Sequence, residues 1–282
     1  MPIKKNNEEM KRAIQLVIEN LMNRVMRKVL IDDPFIKEEF KSKTPIYAAL
    51  VPEEIFKGSH FERRFVTPFG GIWEELAVAA ATNGLGYGER NKVIIGNVRK
   101  GRLQRISEVL NNLEHPQINS RNRIHPDWNK EIDYILKGNG PNIPTQVNCD
   151  VYAADIKNNT RFVFEVKAPM PNSDQTKVSK EKLLKLYSMD PPQIDGAYFA
   201  LPYNPYGNKE DYDWRFPFRW FDMKNDSVVL IGIEFWEKIG GKGTYLSFIN
   251  AINEVGPIYK DRIYREYLGI FPTNNMTNDN LK

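Results

Sequence analysis

Residues 147–168, VNCDVYAADIKNNTRFVFEVKA, constrain the chain more than any other stretch. Two runs of alternating character flank Lys157-Asn158-Asn159-Thr160, a polar, Asn-rich linker of the kind that joins hairpin strands. Side chains alternate along a strand, so Val147, Cys149, Val151 and Ala153 share one face of the first run, and Asn148, Asp150, Tyr152 and Ala154 share the other. In the second run Phe162, Phe164, Val166 and Ala168 share a face, opposite Val163, Glu165 and Lys167. Pairing the runs as a hairpin brings Asp150 beside Glu165 and Lys167.

Two carboxylates and an ammonium then converge at the end of a sheet. Hard oxygen ligands on a rigid element suit Mg²⁺, which keeps several waters and completes its shell with phosphate oxygens. Such an ion neutralises charge on a phosphorane-like transition state and acidifies water, and a neighbouring lysine can orient that water, help deprotonate it, or stabilise phosphate oxygens. The plainer alternative is a two-stranded ribbon with ordinary charges on a wet face.

Asp150 followed by Glu165-Val166-Lys167 resembles the PD-(D/E)xK nuclease core, with Cys149 where that pattern usually has proline. The continuation Ala168-Pro169-Met170-Pro171-Asn172-Ser173-Asp174-Gln175-Thr176-Lys177, and then Lys180, is similar to type II restriction endonucleases of the TdeIII kind. The resemblance implies a restriction-endonuclease-like fold and Mg²⁺-dependent cutting of double-stranded DNA at a short, interrupted GC-rich palindrome of GGNCC type. It makes Asp150 and Glu165 metal ligands and Lys167 the residue that acts on water. The family often draws a further glutamate from a helix preceding the core strands, and here Glu75 is the candidate. A symmetric cut of a palindrome requires two active sites, hence a homodimer.

Composition is compatible with this reading without deciding it. The chain has 282 residues, 41% of them hydrophobic, and a formal net charge of +4. That is enough for a sizeable core, and its mild basicity suits a nucleic-acid partner. One cysteine excludes an internal disulfide and a cysteine-rich zinc site, and His60, His115 and His125 lack metal-ligand spacing. The start, MPIKKNNEEMKRA, has no apolar signal core, and no apolar run approaches the roughly 18 residues that a bilayer requires. A cytoplasmic protein is expected.

The remaining pattern predicts an α/β fold, a mixed central sheet flanked by helices, with a helical N-terminal part. Residues 1–60 form that part, 61–271 hold the catalytic core and the DNA-reading segments within one domain, and 272–282 are an apolar-poor tail expected to be disordered. Ile14, Val17, Ile18, Leu21, Val25 and Val29 predict an amphipathic helix over 8–30, for core packing or a subunit interface. Pro68, Gly70 and Gly71 break the chain before a helix whose apolar face carries Ile72, Leu76, Ala79 and Ala80 and is flanked by Glu75. Lys92–Val98, Gly196–Leu201 and Val228–Phe235 predict strands, and 100–113 and 244–255 predict helices.

Three further features bear on function. His125-Pro126-Asp127 offers a literal Pro-Asp, a rival to Asp150, placed where a helix begins. Lys177, Lys180, Lys182 and Lys185 lie around a helix, either as a solvated face or steering DNA, with Lys177 and Lys180 the chosen DNA contacts. Residues 203–222 interleave aromatics with Arg215 and Arg219, either a loop pinned by buried rings or a reader of guanine. Two other functional classes stay open: a PD-(D/E)xK nuclease for repair or structured DNA, and a DNA-binding module without catalysis.

Overall fold

The alternation of 147–168 becomes two antiparallel strands, β2 (Asn142–Asp155) and β3 (Thr160–Val166). Their register runs from Val151 opposite Phe164 to Asp155 opposite Thr160. The turn between them is Ile156 to Asn159, one position earlier than the composition suggests. Asp155 closes it: its carboxylate accepts the backbone N–H of Lys157 at 3.0 Å and of Asn158 at 3.1 Å. Asn159 takes the left-handed conformation (φ 50°) that asparagine tolerates better than most residues.

The computed structural model describes residues 2–115 and 123–272. They fall into two compact units, one formed by Ala77–Tyr245 and the other by Met1–Leu76 with Leu246–Lys282. The helical part thus reaches past residue 60 to Leu76 and takes in the C-terminal segment. The expected disordered tail lies, beyond Pro272, outside the described residues.

The first unit holds the sheet, in the order β1-β2-β3-β4-β5. β1 (Gly86–Arg99) extends the expected Lys92–Val98 strand and pairs antiparallel with β2 along almost its whole length. β4 (Gly196–Leu201) and β5 (Val229–Ile231) continue the sheet in parallel from β3. Numbering helices along the chain, α6 (Lys100–Glu114) and α7 (Trp128–Leu136) lie between β1 and β2, α8 (Ser173–Tyr187) joins β3 to β4, and α9 (Ile233–Gly240) follows β5. This is the mixed sheet flanked by helices that the pattern predicts.

Both faces of β3 are covered, so the plainer alternative of a ribbon with a wet face does not hold. Val163 packs in one core with Leu183 and Leu184 of α8. Phe164 meets the ring of Tyr198 at 5.4 Å and that of Phe235 at 5.7 Å. Burying each such side chain contributes about 1.5–3 kcal/mol.

The run 228–235 is also corrected. Only Val229–Ile231 is strand, because Gly232 turns to φ 58° and the chain enters α9 at Ile233. Phe235, Trp236 and Ile239 are its buried stripe, so the hydrophobicity belongs to an edge strand and an amphipathic helix in succession.

The second unit is helical: α1 (Pro2–Arg27), α2 (Lys37–Lys43), α3 (Pro45–Leu50), α4 (Glu53–Phe69), the start of α5 (Ile72–Gly84), and most of α10 (Thr244–Arg262). Gly70 and Gly71 separate α4 from α5, as Pro68 and the glycine pair predict. Ile14, Leu21, Met22, Val25 and Met26 are buried, so α1 is a core-packing helix. Tyr259 of α10 is tied to it by hydrogen bonds to the Glu19 carbonyl and the Asn23 side chain. Among the described residues, no helix is long and apolar enough to cross a membrane.

Candidate active site

The site forms where the β2–β3 ladder ends. Beyond Val151–Phe164 the backbone donors turn to side chains instead of the opposing strand. The N–H of Asp150 donates to Glu165 Oε1 at 3.4 Å, and the N–H of Val166 donates to Asp150 Oδ2 at 3.1 Å. Two carboxylates therefore replace two rungs of the ladder and are held in place by doing so. On the other edge, the Lys167 N–H donates to the Ala200 carbonyl at 3.0 Å, which ties the residue after β3 to β4.

Two ammonium groups close on these carboxylates. Lys167 Nζ donates to Asp150 Oδ2 and to the Val166 carbonyl at 3.2 Å, and stands 3.5 Å from Glu165 Oε2. Lys182, from α8, donates to Glu165 Oε1 at 3.0 Å and Oε2 at 2.9 Å, and stands 3.6 Å from Asp150 Oδ1. Asp150, Glu165 and Lys167 are thus brought together as the hairpin requires, and Lys182 joins them.

Lys182 was not singled out among the helix lysines. Lys182 lies three residues after Ser179 and four before Leu186, both buried, and it is the packing of α8 on the sheet that turns this stripe toward the carboxylates.

Burial sets the electrostatics. The Glu165 side chain is 0% exposed, and desolvation, reinforced by the Asp150 charge, pushes its carboxyl up to about 7. Burial draws the Lys182 ammonium down, but Glu165 and Asp150 outweigh it and leave its pKa raised. Burial also holds the Cys149 thiol up at about 12, so the residue standing where proline is usual is a neutral, buried filler.

Other predicted residues have partners of their own. Glu75 lies in the helical unit, where Arg24 reaches it at 3.4 Å. Among the described residues, no group of three His, Cys, Asp or Glu side chains stands together as a metal cage. The accessory-ligand role of Glu75 stands as a proposal, and cleavage in Mg²⁺ by Glu75→Gln tests it. Asp127 caps α7, accepting the Lys130 N–H at 3.1 Å, which is the ordinary work of an aspartate at a helix start.

Lys180 is a correction. Its side chain is 0% exposed, paired with Glu131 and donating to the Trp220 carbonyl, with the Phe221 ring 4.9 Å away. It cannot reach DNA, because the inward stripe of α8 carries it into the core. Lys180→Ala should lower stability by about 3 kcal/mol, since it strands Glu131 in the interior without its partner. Denaturant unfolding checks this. A variant as stable as wild type but weaker on DNA would return Lys180 to the surface role. Lys177 is half-buried and pairs with Glu114 at 2.5 Å.

Residues 203–222 are pinned by aromatics to the connection that follows Lys167. Tyr212 Oη donates to the Pro169 carbonyl at 2.8 Å, Trp214 Nε1 to the Pro171 carbonyl at 2.8 Å, and Trp220 Nε1 to Ser173 Oγ at 3.0 Å. Arg215 is exposed, its guanidinium 4.9 Å from the Phe216 ring, and Arg219 is half-buried. Buried rings and a presented arginine therefore coexist in one loop.

The family model described as type II restriction endonuclease, HinfI, matches residues 10–256. The chain belongs to the HinfI family of type II restriction endonucleases. It is similar to three type II restriction enzymes of Herpetosiphon aurantiacus. HgiCII is 27% identical over 227 residues, covering 79% of this chain and 81% of the relative. HgiBI is 26% and HgiEI 27% identical, each over 224 residues, 75% of this chain and 77% of the relative. Membership in this family supports a nuclease of the type II restriction class. The match includes the site, the aromatic loop and most of the helical unit, so membership covers both compact units.

Proposed function

We propose that this HinfI-family protein hydrolyses phosphodiester bonds of duplex DNA with Mg²⁺, using Asp150, Glu165 and Lys167, at a short interrupted palindrome of GGNCC type, as a cytoplasmic homodimer. The observation that carries the reading is the replacement of two ladder rungs by the Asp150 and Glu165 carboxylates, with Lys167 held against both.

The residues fit the metal. Around Lys167 Nζ stand Asp150 Oδ2, Glu165 Oε2 and the Val166 carbonyl, three hard oxygens from three groups that already surround one positive charge. Asp150 and Glu165 would hold Mg²⁺. When bound, the ion supplies charge neutralisation at the phosphate and acidifies water. Lys167, released from the carboxylates, would orient the attacking water or take its proton, and the fixed strand ends would keep the reacting groups in line. The dimer rests on symmetry: two strands of a palindrome present the same scissile geometry to two copies.

Digestion of plasmid DNA with Mg²⁺ into discrete, reproducible fragments tests the reading. A ladder or smear would favour a repair-type or structure-specific nuclease, and Mg²⁺-independent binding without cutting would favour a non-catalytic module.

Specificity has its own expected outcome. In Ca²⁺, Arg215→Ala should lose affinity selectively for a GGNCC duplex over a scrambled one, because a bidentate arginine–guanine contact is worth about 1–3 kcal/mol of discrimination. Arg219→Ala is measured beside it. Equal loss on both duplexes would assign these arginines to phosphate, with the salt slope falling by about one. A wild type that does not prefer GGNCC would discard that site and leave the nuclease reading intact.

A further inference from the structure

The two lysines occupy two distinct positions over one pair of carboxylates. Lys167 Nζ lies among Asp150 Oδ2, Glu165 Oε2 and the Val166 carbonyl, and Lys182 Nζ lies among Asp150 Oδ1 and both oxygens of Glu165. Two cations bridged by the same carboxylates are what a two-metal phosphodiesterase site provides. Here both are supplied by the chain.

The two positions differ in what can leave. Lys167 follows the last residue of β3 and opens a stretch without regular structure that runs to Asn172. Its pocket includes a neutral carbonyl oxygen, so three separate groups offer donors to an incoming hard cation. Lys182 is rooted in the middle of α8, which is fastened to the core by buried Thr176, Ser179, Lys180, Leu183, Leu184 and Leu186 and capped at Asn172 by a reciprocal box with Gln175. Among the described residues its pocket is made of carboxylate oxygens, Asp150 Oδ1 and both oxygens of Glu165.

We infer that Lys182 is a built-in second cation: it stays on Glu165 and Asp150 while a single divalent ion takes the place of the Lys167 ammonium, so each chain binds one ion and not two. The inference rests on the proposed nuclease reading and deepens it. Lys182 acts through the carboxylates, as a positioning residue, by keeping Glu165 oriented and by filling with a fixed ammonium the place that a second ion would take.

The test counts bound Ca²⁺ by equilibrium dialysis on the intact protein, with Ca²⁺ alone as the probe and thermal melting as the control for folding. Wild type should bind one Ca²⁺ per chain and Asp150→Asn none. Lys182→Gln should bind two, the first at least about tenfold more tightly, because a positive charge within a few ångströms of the ligands is gone. Lys182→Arg, which keeps the charge, should bind one. A wild-type count other than one overturns the inference. So does a second Ca²⁺ on the arginine variant, which keeps the question open to refutation even where the glutamine variant fails to fold. A glutamine variant with one Ca²⁺ at wild-type affinity assigns Lys182 a merely structural role and also overturns it. Plasmid cutting by wild type in Mg²⁺ separates the two failures: loss of cutting sinks the nuclease reading, whereas normal cutting with the wrong ion count sinks only this inference.

Discussion

Replacing Lys167 by alanine should leave a folded protein that binds DNA but cuts it about 10²–10⁴-fold more slowly, the range expected when a positioned proton-transfer group is lost. Lys167 Nζ contacts Asp150, Glu165 and the Val166 carbonyl, all within the site, so the substitution removes chemistry more than scaffold. The side chain is not a free surface amine, however, because it is only 20% exposed and neutralises two converging carboxylates. In the metal-free protein its loss leaves Lys182 as the remaining ammonium on them, and the variant should melt below wild type. Ca²⁺ should restore most of that difference, since a divalent ion supplies the missing positive charge. Cleavage in Mg²⁺, DNA affinity in Ca²⁺ and thermal melting with and without Ca²⁺ separate these effects. A variant that cuts at near wild-type rate removes Lys167 from the chemistry.

Asp150→Asn and Asp127→Asn should behave in opposite ways. An amide at Asp150 can still accept the Val166 N–H, so the strand end persists, but it has lost the charge that holds a divalent ion. Outer partners of metal ligands typically cost about 10–100-fold when removed, and a direct ligand should cost more than that. Asp127→Asn should be nearly silent in rate and stability, because asparagine caps a helix about as well as aspartate. Asp127→Ala should lose about 1 kcal/mol of stability and no catalytic rate. Rates measured on purified variants at saturating Mg²⁺ decide between the two aspartates. An active Asp150→Asn with an inactive Asp127→Asn would move the metal site to the literal Pro-Asp.

The contrast between these aspartates shows what kinds of information the chain carries locally. Asp127 is followed by a helix, and an aspartate at such a place has an ordinary use that needs no tertiary contact. Asp150 sits in an alternating run that a short polar linker folds back onto a second run ending in Glu165-Val166-Lys167. The period of two puts Asp150, Glu165 and Lys167 on one face, and antiparallel pairing sets them side by side, so local alternation with a short turn was enough to assemble the three.

Other features depended on what packs against what. Lys180 and Lys182 lie two residues apart on one helix, and nothing in their own identity says that Lys180 goes to Glu131 while Lys182 goes to Glu165. A helix presents different stripes at those positions, and the destination of each stripe is set only when α8 lies across the sheet. The run 228–235 reads as one strand because strand and buried helix are both continuously apolar; the turn at Gly232 and the place available beside β4 divide it. Glu75 flanks an apolar helical face compatible with several partners, and packing within the helical unit gives it Arg24. The sequence by itself determined the sheet's central hairpin and the three residues that face one another across it, because those relations span one turn of chain. The second lysine, the buried fate of Lys180 and the division of the last hydrophobic run were decided by tertiary structure, because each depends on a surface brought from far away in sequence.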